Sequence, residues 1–94
     1  MKLINWNKDK NTWLKKYRKI GFEDVLYCMD NDFIIDDIEH PNKERYPNQK
    51  IFVLDIEKYI YLVPYVESSE EIFLKTIIPS RKATRDYLGE KYDE

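Results

Sequence analysis

Glycine is nearly absent from this chain, with two residues, and cysteine and histidine occur once each. Two glycines cannot build a Gly-rich phosphate loop. The lone Cys28 excludes an internal disulfide and a cysteine-based zinc cage. With His40 as the only imidazole, no cluster of the usual nitrogen and sulfur metal ligands can form, and no metal or cofactor is expected. No Ser-His-Asp set stands in a recognisable context, although triads are defined by geometry and not by order. Long hydrophobic runs are also missing. The longest, Tyr59 to Val66, has eight residues, against about 20 for a membrane-spanning helix. Met1 to Trp6 is short and followed by lysines, which does not read as a signal peptide. The expectation is a soluble cytoplasmic protein with no membrane partner.

What is present is a packed domain. Ninety-four residues form one domain, 1–94, and a chain of this size buries roughly 60–65% of its unfolded surface. Eight Tyr, four Phe and two Trp supply much apolar area and argue against disorder. The net charge of −2 argues against a general polyanion binder, but the charge is unevenly spread. Residues 1–19 hold seven Lys or Arg against one Asp, or +6, and residues 20–40 hold seven Asp or Glu and no basic residue, or −7. Residues 41–50 then carry three basic and one acidic residue. Local fields follow local charge within a Debye length of about 8–10 Å, so an acidic protein can carry a basic face. The plainer alternative is that Lys8, Lys10, Lys15, Lys16, Arg18 and Lys19 only solvate a helix.

Lys2 to Trp6 suggests a short first strand. Asn7 or Asp9 can cap a helix on which Trp13, Leu14, Tyr17 and Ile20 recur at helical spacing, and Gly21 ends it. Phe22, Val25, Leu26 and Met29 mark a second amphipathic helix. Glu23 and Asp24 lie in its first turn, where the helix dipole favours them, and Cys28 lies beside its stripe as a buried thiol. Phe33 to Ile38 is a strand that leads into the loop His40 to Asn48. Ile51 to Ile56 and Tyr59 to Val66 form a hairpin across Glu57 and Lys58. Its second strand sets Tyr59, Tyr61, Val63 and Tyr65 opposite Ile60, Leu62, Pro64 and Val66. Pro64 lacks an N–H and predicts a bulge or an edge. A turn at Glu67 to Glu70 leads into Ile72 to Ile78. Ser80 then caps a last helix holding Ala83, Thr84, Tyr87 and Leu88, and the charged tail frays. The expected fold is a two-layer α+β domain of order β-α-α-β-β-β-α, an antiparallel meander with helices on one face.

Chemistry concentrates in Ile77-Ile78-Pro79-Ser80-Arg81-Lys82-Ala83-Thr84-Arg85. The positive end of the helix dipole disfavours cations in a first turn by about 0.3–1 kcal/mol, yet Arg81 and Lys82 follow the N-cap directly. Free N–H groups, the dipole and two cations suit an anion such as a phosphodiester. Alternatively, the arginines pair with the chain's many carboxylates.

This segment, a strand ending in Ile-Ile and a small turn before Arg-Lys-Ala-Thr, resembles the C-terminal signature of BrnT-type toxins, a branch of the RelE-like ribonucleases. Trp6 followed by Lys10, then Phe22-Glu23-Asp24, is similar to that family's Trp, Lys and Phe-Glu-Glu. His40, Glu44 and Arg45 look like its His and Glu-Arg ahead of the meander. The resemblance spans about residues 6–88, with Arg18 and Lys19 standing where the family has His and Gly. It implies a RelE-like fold and a metal-independent endoribonuclease that inhibits translation. It also implies a neutralising partner, a cognate antitoxin of ribbon-helix-helix type, through which alone DNA would be bound. Such cleavage uses the 2′-OH as nucleophile and needs charge stabilisation at phosphorus. On that basis Arg45 and Arg81 are expected to stabilise charge, with Glu44 or His40 as candidate base. Lys10, Arg18 and Lys82 would hold RNA. Trp6 and Trp13 either stack on bases or belong to the core. The rival expectation is a catalytically inactive interaction module that binds an antitoxin or another basic partner through the acidic 20–40 stretch. A DNA-binding regulator is disfavoured, because no helix-turn-helix pattern appears.

Overall fold

A computed structural model of the protein describes residues 2–89. The elements run β1 (Leu3–Trp6), α1 (Lys8–Tyr17), α2 (Phe22–Asp30), β2 (Ile34–Glu39), β3 (Gln49–Ile56), β4 (Tyr59–Glu67), β5 (Glu71–Leu74), β6 (Ile78–Pro79) and α3 (Arg81–Leu88). The class is α+β with a mixed, open sheet. Its strands lie in the order β1-β5-β4-β3-β2, with β6 also paired to β4. β2 to β5 form the antiparallel meander, and β1 joins β5 in parallel. The meander therefore has one strand more than the expected order allowed. The expected frayed tail, residues 90–94, lies outside the described residues.

Local chemistry explains the boundaries. Asn7 caps α1 by accepting from the Lys10 N–H at 2.9 Å, which settles the choice between Asn7 and Asp9. Asn11, buried inside α1, accepts from the Phe22 N–H at 2.8 Å and donates to the Glu23 carboxylate at 3.0 Å, tying α1 to the start of α2. Gly21 sits in that junction. A Cβ there would come within 2.7 Å of Glu23 Oε1 and of Lys15 Cε and 3.0 Å of Asn11 Oδ1, so a larger residue would push these side chains aside. Elsewhere glycine is missing where turns usually use it. Lys19, Asp32, Glu57 and Lys58 take positive φ values of 59°, 61°, 53° and 66°. The Glu57-Lys58 pair forms a two-residue hairpin turn of the I′ kind, helped by a hydrogen bond of 2.9 Å from the Lys58 N–H to Asp55.

The core lies between one sheet face and the first two helices. Leu14, Ile20, Phe22, Val25 and Cys28 pack on Phe52, Leu54, Val63, Tyr65 and Leu74. Trp6 joins them, stacked on Phe22 at 5.5 Å. The amphipathic reading of α2 holds, with Phe22, Val25 and Cys28 buried. In α1 only Leu14 of the expected apolar stripe is buried within the helix, whereas Trp13 and Tyr17 stay exposed.

Two expectations are corrected. First, the helices do not share one face. Val53 and Ile60 are fully buried, yet alternation turns them away from Phe52, Leu54, Tyr61 and Val63. α3 lies on their side: its Tyr87 hydroxyl donates to Asp36, whose register partner is Val53. Second, Pro64 is neither at an edge nor at a bulge. It is buried in β4, in the middle of the sheet, and is paired with Ile51. The bulge lies in β2, between Ile34 and Asp36. Along a strand a residue's N–H and C=O point to the same side, and the Pro64 carbonyl accepts from the Lys75 N–H at 2.8 Å. Its missing donor therefore faces 75–77, where the single strand expected from Ile72 to Ile78 breaks into β5 and β6.

α3 is anchored on Ile60. The Ser80 N–H donates to the Ile60 carbonyl at 3.0 Å, and the Ile60 N–H donates to Thr84 Oγ1 at 2.9 Å. Thr84 Oγ1 donates in turn to the Ser80 carbonyl, and Ser80 Oγ accepts from the Ala83 N–H at 3.0 Å. Thr84→Val keeps the side-chain shape but strands the buried Ile60 N–H, so it should destabilise by about 1–3 kcal/mol in urea unfolding. Thr84→Ser should lose less.

Candidate functional site

Trp13 stands on the exposed side of α1, 40% accessible, between two cations. Lys10 Nζ lies 4.6 Å from its ring centroid and the Arg18 guanidinium 5.0 Å. Lys10 lies one turn before Trp13 on the helix, and Arg18 reaches the ring from the C-cap position. Arg18 also donates to the backbone carbonyl of the fully buried Ile77. That bond fixes the end of α1 against the broken strand. A shallow groove of about 700 Å³ opens beside Trp13, lined by Asn7, Asp9, Lys10, Phe73 and Lys75. Across it Lys75 Nζ lies 5.6 Å from the Phe73 ring. The groove thus sets the ammonium groups of Lys10 and Lys75 beside aromatic faces, with the Arg18 guanidinium on the same Trp13 ring, the combination that lets bases stack while phosphates are neutralised.

The broken strand leads from this groove to α3. Four residues separate Ile77 from Arg81, a span of at most about 14 Å when extended. Arg81, Lys82 and Arg85 are exposed on the first turns of α3, where N–H groups lack intrahelical acceptors. The segment after Ile77 thus links the carbonyl that Arg18 holds to the start of α3, with α1 and α3 on opposite faces of the sheet. The Arg-Lys-Ala-Thr element divides: Ala83 and Thr84 build the anchor, and Arg81 and Lys82 face solvent.

The remaining candidates are elsewhere. The His40 N–H bonds the Gln49 carbonyl, and Gln49 pairs with Val66 at the far end of β4. Ile60, which holds α3, is six residues away, or about 20 Å at roughly 3.3 Å per strand residue. In the loop that follows, His40 Nδ1 accepts from the Asn42 N–H at 3.0 Å, and its ring packs on Tyr46 at 4.4 Å. The Arg45 guanidinium lies 5.6 Å from the same Tyr46 ring, and Glu44 is exposed. Arg45 and Arg81 thus do not meet at one phosphate, and neither Glu44 nor His40 reaches the α3 end.

Sequence reasoning missed Lys75 and Phe73, because the run from Ile72 to Ile78 read as an unbroken strand. The adjacent polar pair Lys75-Thr76 inside it was the available signal. It left both tryptophans open, and the structure separates them: Trp6 is core, and Trp13 is surface. Among the described residues, no group of three or more His, Cys, Asp and Glu side chains converges as a metal site, and no helix is long and apolar enough to cross a membrane.

Compared with protein-family models, with curated proteins and with solved structures, the chain shows no match in any of the three.

Arg18 and Lys10 touch the same ring but differ in structural weight. Arg18→Ala leaves the Ile77 carbonyl without its donor and should cost about 1–2 kcal/mol of unfolding free energy. Lys10→Ala should change the urea midpoint little.

Proposed function

We propose that this protein is an RNA-cleaving toxin of the BrnT and RelE-like kind, acting in the cytoplasm and neutralised by a cognate antitoxin. The observation that carries this reading is the Lys10–Trp13–Arg18 stack, tied by Arg18 to the Ile77 carbonyl in the broken strand. The sequence resemblance at Arg81 to Thr84 supports it independently. A single RNA strand laid along this edge would stack a base on Trp13 and set phosphates beside Arg18, Lys75 and the start of α3.

Cleavage then follows the 2′-OH route. The 2′-oxygen attacks phosphorus, the bond from phosphorus to the 5′-oxygen breaks, and the products are a 2′,3′-cyclic phosphate and a 5′-hydroxyl. One proton leaves the 2′-OH, and one is delivered to the departing 5′-oxygen. Arg81 stabilises the charge that develops on the phosphoryl oxygens, an effect that often contributes most to such rates. Arg18 uses one of its five N–H donors on Ile77 and keeps others for a phosphate. Lys10 and Lys82 hold the phosphate backbone of the strand.

A second reading is favoured by one specific observation. Glu44, His40 and Arg45 lie at the opposite end of the sheet from Arg81, so the base candidates expected from the sequence are absent from the groove, whose one carboxylate among the described lining residues is Asp9. A domain arranged in this way can keep an RelE-like framework as a non-catalytic module that binds an antitoxin or another basic partner.

Inducing the chain alone, with growth and bulk RNA integrity followed together, separates the two. The ribonuclease reading expects arrest with fragmented RNA, loss of both effects in Arg81→Ala, and retention of both in Arg45→Ala. Arrest with intact RNA, or equal loss in the two variants, would contradict it. Absence of arrest would favour the binding module.

A further inference from the structure

A second cleft, of about 540 Å³, opens between α2 and the β3–β4 turn, away from the cationic edge. Its wall carries Asp24, Asp55 and Glu57, with Lys58 as the one cation among the described lining residues. One oxygen of Asp24 accepts from the Gly21 N–H and one of Asp55 from the Lys58 N–H, each at 2.9 Å, so backbone donors fix both carboxylates at the cleft wall. Tyr27 and Phe33, also on the wall, stack at 6.1 Å with rings 25° apart, and remain 61% and 43% exposed. Cys28 forms the floor at 3% exposure. Burial first, and then Asp24 and Asp55, push its thiol up to about 11, so it stays neutral and serves as apolar surface.

We propose that this cleft docks a basic segment of a partner protein, inserting an arginine or lysine side chain between the carboxylates and over the Tyr27–Phe33 pair. Charge complementarity selects this occupant. Three carboxylates surround aromatic faces that attract cations, and the apolar floor accommodates the aliphatic stem of a long basic side chain. Asp30, the last residue of α2, and Asp32, on the turn after it, are both exposed and extend the negative field toward an approaching chain. The proposal rests on the expectation of a basic protein partner and names its docking site. RNA use of the opposite surface does not depend on it.

The test is nuclear magnetic resonance mapping on the full chain, titrated with a short peptide alternating arginine and leucine, and with its glutamate-for-arginine counterpart. The expected result is saturable shifts confined to residues 24–33 and 55–58 with the arginine peptide only. Tyr27→Ala and Glu57→Gln should each weaken binding by several-fold to about tenfold. Asp30→Asn with Asp32→Asn, which removes more charge outside the cleft, should weaken it less. Shifts spread over other surfaces, or equal losses in cleft and outside variants, would overturn the site while leaving a partner elsewhere open. Peptide-free, concentration-dependent shifts linking α1 lysines to the cleft would mean that a second copy occupies it, which also overturns the proposal. RNA binding measured on the same variants should be unchanged, so failure here is distinguishable from failure of the ribonuclease reading.

Discussion

The missing N–H of Pro64 organises one whole side of this molecule. A proline in the middle of the central strand can be tolerated only where its neighbour needs no donor. The chain meets that condition by lifting 75–77 out of register between β5 and β6, keeping the Pro64 carbonyl bonded to the Lys75 N–H. The break turns the Ile77 carbonyl toward α1, where Arg18 takes it. It also delivers Ser80 to Ile60, so that α3 starts at this edge and folds back over the other face of the sheet. A continuous strand from Ile72 to Ile78 would give none of these contacts.

Charge follows the same division. The basic helix α1 borders the groove beside the broken strand, whereas α2 and the β3–β4 turn carry carboxylates around a separate cleft. A chain of net charge −2 thus presents a cationic, aromatic groove and an anionic, aromatic one on different elements. This division gives physical content to a protein that would hold a nucleic acid with one surface and a basic protein partner with another.

Much of this was legible in the sequence because it depends on local pattern. The stripe Phe22, Val25, Met29, the alternation of Tyr61, Val63 and Tyr65, and the Ser80 cap all follow from periods of 3.6 and 2 or from capping chemistry. The cations Lys10 and Arg18 were named from charge and spacing, and they share the Trp13 ring. What was not legible depends on long-range pairing. Pro64 read as an edge signal because nothing local shows that its neighbour will yield. His40, Glu44 and Arg45 looked like partners of Arg81, since sequence order does not reveal that β3 and β4 carry them about 20 Å away. Trp6 and Trp13 have similar surroundings in sequence, and only tertiary packing sends one to Phe22 and the other to solvent.

The central claim is that the Trp13 edge receives a single RNA strand. The direct measurement is tryptophan fluorescence during titration with a short oligouridine, in the intact chain and in the Trp13→Phe and Trp6→Phe variants. The account predicts quenching that survives Trp6→Phe, disappears in Trp13→Phe and weakens with added salt as Lys and Arg contacts to phosphate are screened. Quenching that persists in Trp13→Phe, or no response of the intact chain at low salt, would contradict it.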